Sequence, residues 1–331
     1  MSKIVVSIPG DGIGPEVVAV AERVLLQVAP SLRLERAEAG FGCYQRQGTS
    51  LPASTLEMAR SSGAVLFGAV TTPPAIPGYQ SAVLGLRRGL DLFANVRPAR
   101  SVPVTGSRMG VDLVIVRENT EGLYCGIERR EAGRAVSERV ISERGSARIV
   151  RHALELATRQ RRKRVTLVHK ANILRETCGL FRRVGREVAA GFPAIELEEM
   201  LVDTCAYELV RRPERFEVIV TTNLFGDILS DVAAAVTGGL GLATSANLGE
   251  GAALFEPVHG SAPDIAGRGT ANPLAAVGAA AMLLGHLGLE AERMRVEAAI
   301  SAVLLNGPRT PDLGGEAGTG EVERALLDLL R

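Results

Sequence analysis

Short apolar runs recur along the chain and alternate with longer stretches in which apolar residues return every three or four positions. The short runs are typical of buried strands, and the periodic stretches are typical of helices with one buried face. The predicted strands are residues 4–8, 64–67, 113–116, 165–168 and 218–222. The predicted helices include residues 15–28, 146–159, 180–190 and 273–287. This alternation predicts an α/β fold with a mostly parallel sheet.

Residues 125–145 interrupt the alternation with small and charged residues of weak periodicity. We expect an exposed excursion here, such as a β-arm. No stretch is rich enough in proline, glycine or serine to mark a domain boundary by composition alone.

Composition and charge exclude several classes of protein. The 331 residues carry 38 basic and 37 acidic side chains, so no overall field favours nucleic acid or an anionic membrane. Aromatic residues make up 4% and tryptophan is absent, which argues against base stacking. The one dense basic run, residues 159–164, is expected to be a solvated helix C-terminus. Four scattered cysteines indicate neither a disulfide framework nor a zinc site.

The first residues lead directly into a predicted strand, so we expect no signal peptide. No apolar run reaches the ~18 residues of a membrane span. These features predict a cytoplasmic location.

Asp227 and Asp231 are the most informative pair of residues. They follow the apolar run at 218–220, and a helix is predicted to begin after Gly226. Four residues make about one helical turn, so both carboxylates are expected on one face of the first turn. A divalent cation between them would relieve their repulsion, since Mg²⁺ is typically held by one or two carboxylates plus substrate oxygens. The alternative is a simple preference of acidic residues for a helix N-terminus.

A glycine-rich turn, Gly10 to Glu16, follows the first predicted strand. Its glycines at 10, 12 and 14 do not match the dinucleotide fingerprint G-x-G-x-x-G. Phosphate binding and a tight structural turn both remain open at this point.

Three arginines, Arg87, Arg97 and Arg117, lie near predicted strands or turns. Arginine forks bind carboxylates through two hydrogen bonds, so three converging forks would suit a di- or tricarboxylic acid. Three unrelated surface arginines are the alternative.

Tyr124 and Lys170 each follow a predicted strand. Tyr124 could donate a proton or simply pack in the interior, and Lys170 could act as a general base or be a surface cation. In the loop after His259, small residues would let a ligand approach the backbone, and an acidic side chain could bind a ribose diol. An ordinary loop is the alternative.

Taken together these segments resemble the β-decarboxylating dehydrogenases, which act on isocitrate, isopropylmalate, homoisocitrate or tartrate. The likeness covers nearly the whole chain, and its motifs are residues 10–16, 90–98, 116–124, 169–172, 223–231, 256–272 and 310–315. The resemblance implies a two-domain fold of the isopropylmalate dehydrogenase type, distinct from the Rossmann fold. It implies a larger cofactor-binding domain (1–98 with 253–331) and a smaller domain (99–252) that carries metal ligands and the dimer interface.

The resemblance also implies catalytic roles. Asp227 and Asp231 match metal ligands for Mg²⁺ or Mn²⁺, and Asp203 matches a ligand from the other subunit of a homodimer with shared active sites, or of a tetramer. Lys170 matches the partner-subunit base. Tyr124 matches the acid that delivers a proton after decarboxylation.

Binding residues follow from the same resemblance. The positions matching contacts to the 2-hydroxy tricarboxylic acid are Thr72, Ser81, Leu84, Arg87, Arg97, Arg117, Tyr124, Lys170 and Asn172. The positions matching contacts to NAD are Val70, Thr71, Thr72, Asn172, Gly260, Ser261, Ala262, Pro263, Asp264 and Asn272.

Within the family, residues 119–122 resemble the isocitrate and homoisocitrate branches, and Asp264 resembles NAD users. Ser81 aligns with a serine that binds the distal carboxylate. Leu84 falls where certain bacterial homoisocitrate dehydrogenases carry an arginine. Its apolar character resembles that of isopropylmalate enzymes at this position. Across the remaining length the likeness is greatest to bacterial homoisocitrate dehydrogenases of lysine biosynthesis, with isocitrate as a second substrate. NAD-dependent isocitrate and 3-isopropylmalate dehydrogenases are the alternatives.

Overall fold

The computed structural model describes residues 3–73, 76 and 78–331. Met1 and Ser2, which belong to the segment where no signal peptide is expected, lie outside the described residues. Among the residues that are described, no helix is both long enough and apolar enough to cross a membrane.

Strands and helices alternate along most of the described chain. The strands are β1 (Ile4–Gly10), β2 (Arg33–Arg36), β3 (Ala64–Ala69), β4 (Ala94–Arg100), β5 (Asp112–Glu118), β6 (Glu128–Glu131), β7 (Arg134–Ser137), β8 (Arg164–His169), β9 (Glu196–Leu201), β10 (Val218–Thr221), β11 (Thr244–Leu248) and β12 (Ala253–Pro257). The α-helices are α1 (Gly14–Val28), α2 (Phe41–Gln47), α3 (Ala53–Ser62), α4 (Ala82–Gly89), α5 (Glu143–Arg159), α6 (Thr177–Ala189), α7 (Val202–Arg211), α8 (Asn223–Val236), α9 (Leu274–His286), α10 (Glu290–Asn306) and α11 (Thr319–Leu329).

The chain divides into two compact units. The first unit comprises Met1–Leu92, Val102–Ser107 and Gly238–Arg331, and the second comprises Phe93–Ser101 and Arg108–Thr237. The boundaries predicted from the sequence, after residues 98 and 252, differ from these. Strand pairing explains both differences, because β4 pairs along its whole length with β5 of the second unit and β11 pairs with β12 of the first.

In the first unit the strands lie in the order β2-β1-β3-β12-β11. All neighbours are parallel except β11 and β12. All six residues of β3 are buried, which explains its unbroken apolar sequence, because a parallel strand in the middle of a sheet is covered on both faces. The apolar helix α9 packs against β12 and against α1 and α10.

In the second unit the order is β4-β5-β10-β8-β9, with only the pair β4 and β5 antiparallel. Three neighbouring parallel strands, β5, β10 and β8, therefore end at the same edge of the sheet. Side chains that follow them meet at that edge, where open α/β sheets bind ligands. Buried residues of β5, β10 and α7–α8 form one core cluster beneath it.

The predicted α/β class with mostly parallel strands is confirmed. Residues 125–145 contain a two-stranded antiparallel hairpin of β6 and β7 whose side chains are exposed or half-buried, as the weak periodicity predicts. The basic run is not wholly solvated, in contrast to the prediction. The Arg162 side chain is only 10% exposed and donates hydrogen bonds to the Asp112 carbonyl (2.6 Å) and carboxylate (2.7 Å).

Candidate active site

The helix α8 presents Asp227 and Asp231, and it begins earlier than the sequence predicts. Thr222 is its N-cap residue with an extended backbone (φ −72°, ψ 164°), and Asn223 is its first residue. Gly226, expected to precede the helix, lies within it. Both aspartates therefore lie beyond the first turn, so a preference of carboxylates for the helix N-terminus does not explain the pair.

Arg117, Tyr124 and Arg97 surround the carboxylate of Asp227. Arg117 Nη1 donates a hydrogen bond to Asp227 Oδ1, and Tyr124 Oη donates one to Asp227 Oδ2 (2.5 Å). Arg97 Nη1 lies 3.4 Å from Asp227 Oδ1 and 3.7 Å from Asp231 Oδ1. The Arg117 guanidinium also lies over the Tyr124 ring, 5.0 Å from its centroid. The structure thus brings together five of the predicted site residues.

Buried polar side chains orient both arginines. Arg97 Nε donates to Asn95 Oδ1 (2.7 Å) and Arg97 Nη1 to Ser230 Oγ (2.6 Å). Arg117 donates through Nε (3.1 Å) and Nη2 (2.7 Å) to Asn223 Oδ1. Because Arg97 and Arg117 are 8% and 1% exposed, their guanidinium groups depend on these partners for orientation.

Gly226 makes room for Arg117. A Cβ atom at position 226 would lie 2.6 Å from Arg117 Cγ and 2.7 Å from Arg117 Cβ. The close approach of α8 to β5 therefore requires glycine here.

The environment changes the acidity of two groups in the cluster. Burial raises the pKa of Tyr124, and its hydrogen bond to the Asp227 carboxylate raises it further. Tyr124 therefore keeps its proton at neutral pH, as a proton donor must. Burial also raises the pKa of Asp231, an effect that Arg97 partly offsets.

Lys170 and Asp203 form a second group. Lys170 follows β8 and donates a hydrogen bond to the carboxylate of Asp203 in the first turn of α7. This hydrogen bond lowers the pKa of Asp203. Before Lys170, His169 Nδ1 accepts a hydrogen bond from the Ala171 amide (3.2 Å), which fixes the turn between them. Asn172 is exposed beyond that turn.

The remaining predicted substrate residues belong to the first unit. Ser81 is the N-cap residue of α4, and Leu84 is half-buried on the same helix. Arg87, one turn later, is buried and donates a hydrogen bond to Glu256 Oε1 (2.9 Å). Asn247 Nδ2 donates to the same oxygen (2.8 Å). Arg87 is therefore no free surface cation.

The glycine-rich turn after β1 is joined to the predicted cofactor segments of the first unit. The Asp11 carboxylate accepts hydrogen bonds from the amides of Phe41 (2.7 Å), Gly42 (2.8 Å) and Thr71 (2.9 Å). These bonds favour the structural interpretation of the turn, because they use the carboxylate to hold backbone segments together. The hydroxyl groups of Thr71 and Ser261 share a hydrogen bond of 2.7 Å.

Other predicted cofactor residues lie close by in sequence. Val70 is half-buried at the end of β3, and Thr72 is exposed. In the loop 260–264, Ala262 has a left-handed backbone (φ 36°), and Gly260, Pro263 and Asp264 are exposed. The amide of Asn272 donates to Asp312 Oδ2 (2.9 Å), and its oxygen accepts from the Leu274 amide (3.0 Å) at the start of α9.

Residues 4–326 match the family model described as isocitrate/isopropylmalate dehydrogenase. The chain is 55% identical over 325 residues to the isocitrate/homoisocitrate dehydrogenase of Thermus thermophilus, covering 98% of this chain and 97% of that protein. It is 48% identical over 331 residues to the 3-isopropylmalate dehydrogenase of Archaeoglobus fulgidus, covering 100% of both. The crystal structure of isocitrate dehydrogenase from Methylococcus capsulatus superposes with a TM-score of 0.96 at 46% identity, covering 100% of both chains.

The chain belongs to the isocitrate/isopropylmalate dehydrogenase family. It is therefore an oxidoreductase of the decarboxylating dehydrogenases, and the fold type implied by the resemblance is confirmed. The relatives' names differ in the acid on which they act, so family membership leaves the substrate open among isocitrate, homoisocitrate and isopropylmalate.

Several residues that contact predicted site residues within each unit were not singled out from the sequence. They are Asp11, Asn95, Asn223, Ser230, Glu256 and Asp312, and all but Asp11 act by orienting a predicted site residue. The only signal in the sequence is that all six lie inside the family's motifs. Except for Asn95 and Arg97, which are two residues apart, the partners are distant in the chain, so these contacts carry no local pattern.

Proposed function

We propose that the chain catalyses the NAD-dependent oxidative decarboxylation of homoisocitrate to 2-oxoadipate, on the aminoadipate route to lysine, and also accepts isocitrate. The observation that carries the chemistry is the cluster of Arg97, Arg117 and Tyr124 around Asp227. The relative named isocitrate/homoisocitrate dehydrogenase, 55% identical to this chain, supports the choice of acid.

Asp227 and Asp231 are suited to binding a divalent cation. Asp227 and Asp231 offer hard oxygen atoms, and their side chains are 33% and 57% exposed, so a hydrated ion can reach them. Among the residues that the structure describes, no three histidine, cysteine, aspartate or glutamate side chains group as a metal site. Two carboxylates from one chain suffice for Mg²⁺ or Mn²⁺ when substrate oxygens and Asp203 of a second chain complete the set.

A divalent cation held by Asp227 and Asp231 would supply Lewis-acid polarisation of the substrate's hydroxyl and carboxylate oxygens, and bound NAD would supply the hydride acceptor. Lys170, which the second chain would supply together with its neighbour Asp203, removes the hydroxyl proton. Arg97 and Arg117 hold the substrate carboxylates from a buried position, where the attraction is less screened than in water. Tyr124 Oη then delivers a proton to the carbon that has lost carbon dioxide.

The cofactor loop of the first unit has features suited to NAD. Asp264 is exposed and could accept hydrogen bonds from ribose hydroxyls. Small residues at 260–262 let the backbone approach a ligand closely.

The test is a comparison of kcat/KM for homoisocitrate, isocitrate and 3-isopropylmalate with NAD and Mg²⁺ or Mn²⁺. We expect the first two to be turned over, with values that differ by about 10–200-fold, the range for one methylene. Isopropylmalate should be much poorer, because its apolar tail leaves Ser81 and nearby cationic groups without a partner. Efficient turnover of isopropylmalate would reassign the protein to that substrate.

A further inference from the structure

Asn223 is a buried amide at the centre of the Asp227 cluster. It is 1% exposed, is the first residue of α8, and lies 106 residues from Arg117 in the chain. An asparagine at the start of a helix commonly bonds to nearby backbone of that helix. The side chain of Asn223 instead binds two other segments of the second unit.

The oxygen of Asn223 orients Arg117. It accepts two hydrogen bonds from the guanidinium, from Nε (3.1 Å) and from Nη2 (2.7 Å). These bonds occupy one edge of the planar group and turn Nη1 toward Asp227 Oδ1. Gly226 leaves space for the same side chain on the α8 side, since a Cβ there would lie 2.6 Å from Arg117 Cγ.

The nitrogen of Asn223 holds the loop that carries Tyr124. Asn223 Nδ2 donates a hydrogen bond to the Glu121 carbonyl (3.1 Å). The next residue, Gly122, has a left-handed backbone (φ +80°), and a Cβ on it would lie 3.3 Å from Asn223 Cβ. The chain then turns toward Tyr124, whose hydroxyl meets Asp227 Oδ2 at 2.5 Å.

We propose that Asn223 is a positioning residue. It orients Arg117, the substrate arginine, and holds the loop of Tyr124, the proton donor, so that both side chains meet Asp227. The inference rests on the proposed function, in which Arg117 binds the acid and Tyr124 protonates the product. A single amide can do both because its acceptor and its donor point to different partners. Misplacement of a reacting group by about 1 Å can cost about 10²-fold in rate, so such a link affects catalysis without touching substrate.

The kinetic test compares Asn223→Ala with the wild type on the best of the three acids. We expect kcat to fall about 10–100-fold and KM for the acid to rise about tenfold, because both partners lose orientation. KM for NAD should stay within about twofold, since the residues that Asn223 contacts, Arg117 and Glu121, are not among the predicted NAD contacts and a positioning effect is local. A merely destabilised enzyme would lose active protein or change both KM values together.

Asn223→Asp separates the two contacts. Its carboxylate keeps an acceptor for Arg117, so KM for the acid should recover toward the wild-type value. It places an oxygen where Nδ2 donated to the Glu121 carbonyl, so kcat should stay low. Thr237→Val is the matched control, because Thr237 is buried at the other end of α8 and its hydroxyl bonds only carbonyls of that helix among the contacts described. We expect Thr237→Val to retain wild-type kinetics.

A measurement without turnover completes the test. In ¹⁵N–¹H spectra, the Arg117 Nε–H signal, assigned by its loss in Arg117→Lys, should exchange slowly with solvent in the wild type and rapidly in Asn223→Ala. Unchanged exchange in that variant, or kinetic constants within about twofold of the wild type, would overturn the inference. Absence of turnover of all three acids by the wild-type enzyme would instead refute the proposed function, and the exchange measurement would still decide the role of Asn223.

Discussion

At the scale of single residues, the proposed role of Tyr124 as proton donor depends on its hydroxyl, which a phenylalanine lacks. Its pKa is raised by burial and by Asp227, so it holds a proton that it can deliver late in the reaction. We expect Tyr124→Phe to lower kcat by about 10²–10⁴-fold, the usual contribution of a positioned acid. KM for the hydroxy acid should change little, because both arginines remain.

Steady-state kinetics of Tyr124→Phe measure this effect, with Tyr207→Phe as the control. Tyr207 is 61% exposed on α7, and its hydroxyl has no predicted role in the reaction. A decrease in kcat that is equal in the two variants would contradict the assignment of Tyr124 as the proton donor.

Asp264 should decide the choice between the two nicotinamide cofactors. The carboxylate is exposed in the predicted ribose-binding loop and would repel a 2′-phosphate. We therefore expect kcat/KM to be higher with NAD than with NADP, and Asp264→Ala to reduce the ratio. A kcat/KM with NADP equal to that with NAD would remove this assignment.

Leu84 should influence which acid is preferred. It is half-buried on α4, three residues after Ser81, so the two side chains share a helix face. We expect Leu84→Arg to raise the ratio of kcat/KM for homoisocitrate over isocitrate by about tenfold, through a charge-assisted contact to the longer acid. Leu84→Met, which keeps the size without the charge, should leave the ratio near the wild-type value, and equal ratios in all three proteins would exclude Leu84 from the pocket.

At the scale of elements, helix α5 carries a histidine that stays uncharged at neutral pH. His152 lies edge-on to the Phe93 ring (5.9 Å between centroids), and burial, with a smaller effect from Arg159, lowers its pKa from 6.5 to about 4. Between these values the unfolded chain binds a proton that the folded chain does not, so stability falls as pH decreases from 6.5 toward 4. The shift corresponds to about 3 kcal/mol over that range.

Urea unfolding of the wild type and His152→Leu at pH 7.5 and 4.5 tests this expectation. The variant lacks the titrating group, so it should lose less stability on acidification than the wild type. The other histidines are common to both proteins and cancel in the comparison. Equal losses in the two proteins would show that His152 does not contribute.

The elements could be predicted from the sequence to the extent that one local pattern determines them. The strands around 64–69 and 218–221 are unbroken apolar runs because they are buried on both faces. Each residue of such a strand therefore signals burial by its own apolar side chain. The start of α8 was predicted too late because Gly226 resembles a turn residue. It is a helix residue that makes room for Arg117, a partner 109 positions earlier, and no local pattern carries that information.

The same distinction between local patterns and long-range contacts applies to the site residues. Asp227 and Asp231 could be predicted because a helix turn places residues four apart on one face, and this is a local rule. Asn223 and Ser230 could not, because each acquires its role only when helix α8 meets a strand from a distant part of the chain. Asn95 differs from them, because it bonds Arg97 two residues later on the same strand.

At the scale of the whole molecule, we expect two copies of the chain to share each active site. Lys170 and Asp203 of one copy would complete a site built on Tyr124, Asp227 and Asp231 of the other. Mixtures of inactive Lys170→Ala and Asp227→Asn subunits should then regain activity. One of the two sites in such a heterodimer would contain both an intact Lys170 and an intact Asp227.

Refolding the two variants together and separating differently tagged heterodimers provides the measurement. Each variant refolded alone is the control and should stay inactive. Heterodimers that form and have no activity would show that each chain contains a complete site of its own.

Gly226 has a consequence for attempts to make this enzyme more heat-resistant. Replacing a glycine inside a helix by alanine ordinarily stabilises a protein by up to about 1 kcal/mol, so a design method guided by helix propensity would select this position early. Here the added methyl group would occupy the space of the Arg117 side chain. This helix-weakening residue leaves room for Arg117, the arginine that we propose binds the substrate, so libraries for thermal improvement should leave position 226 unchanged.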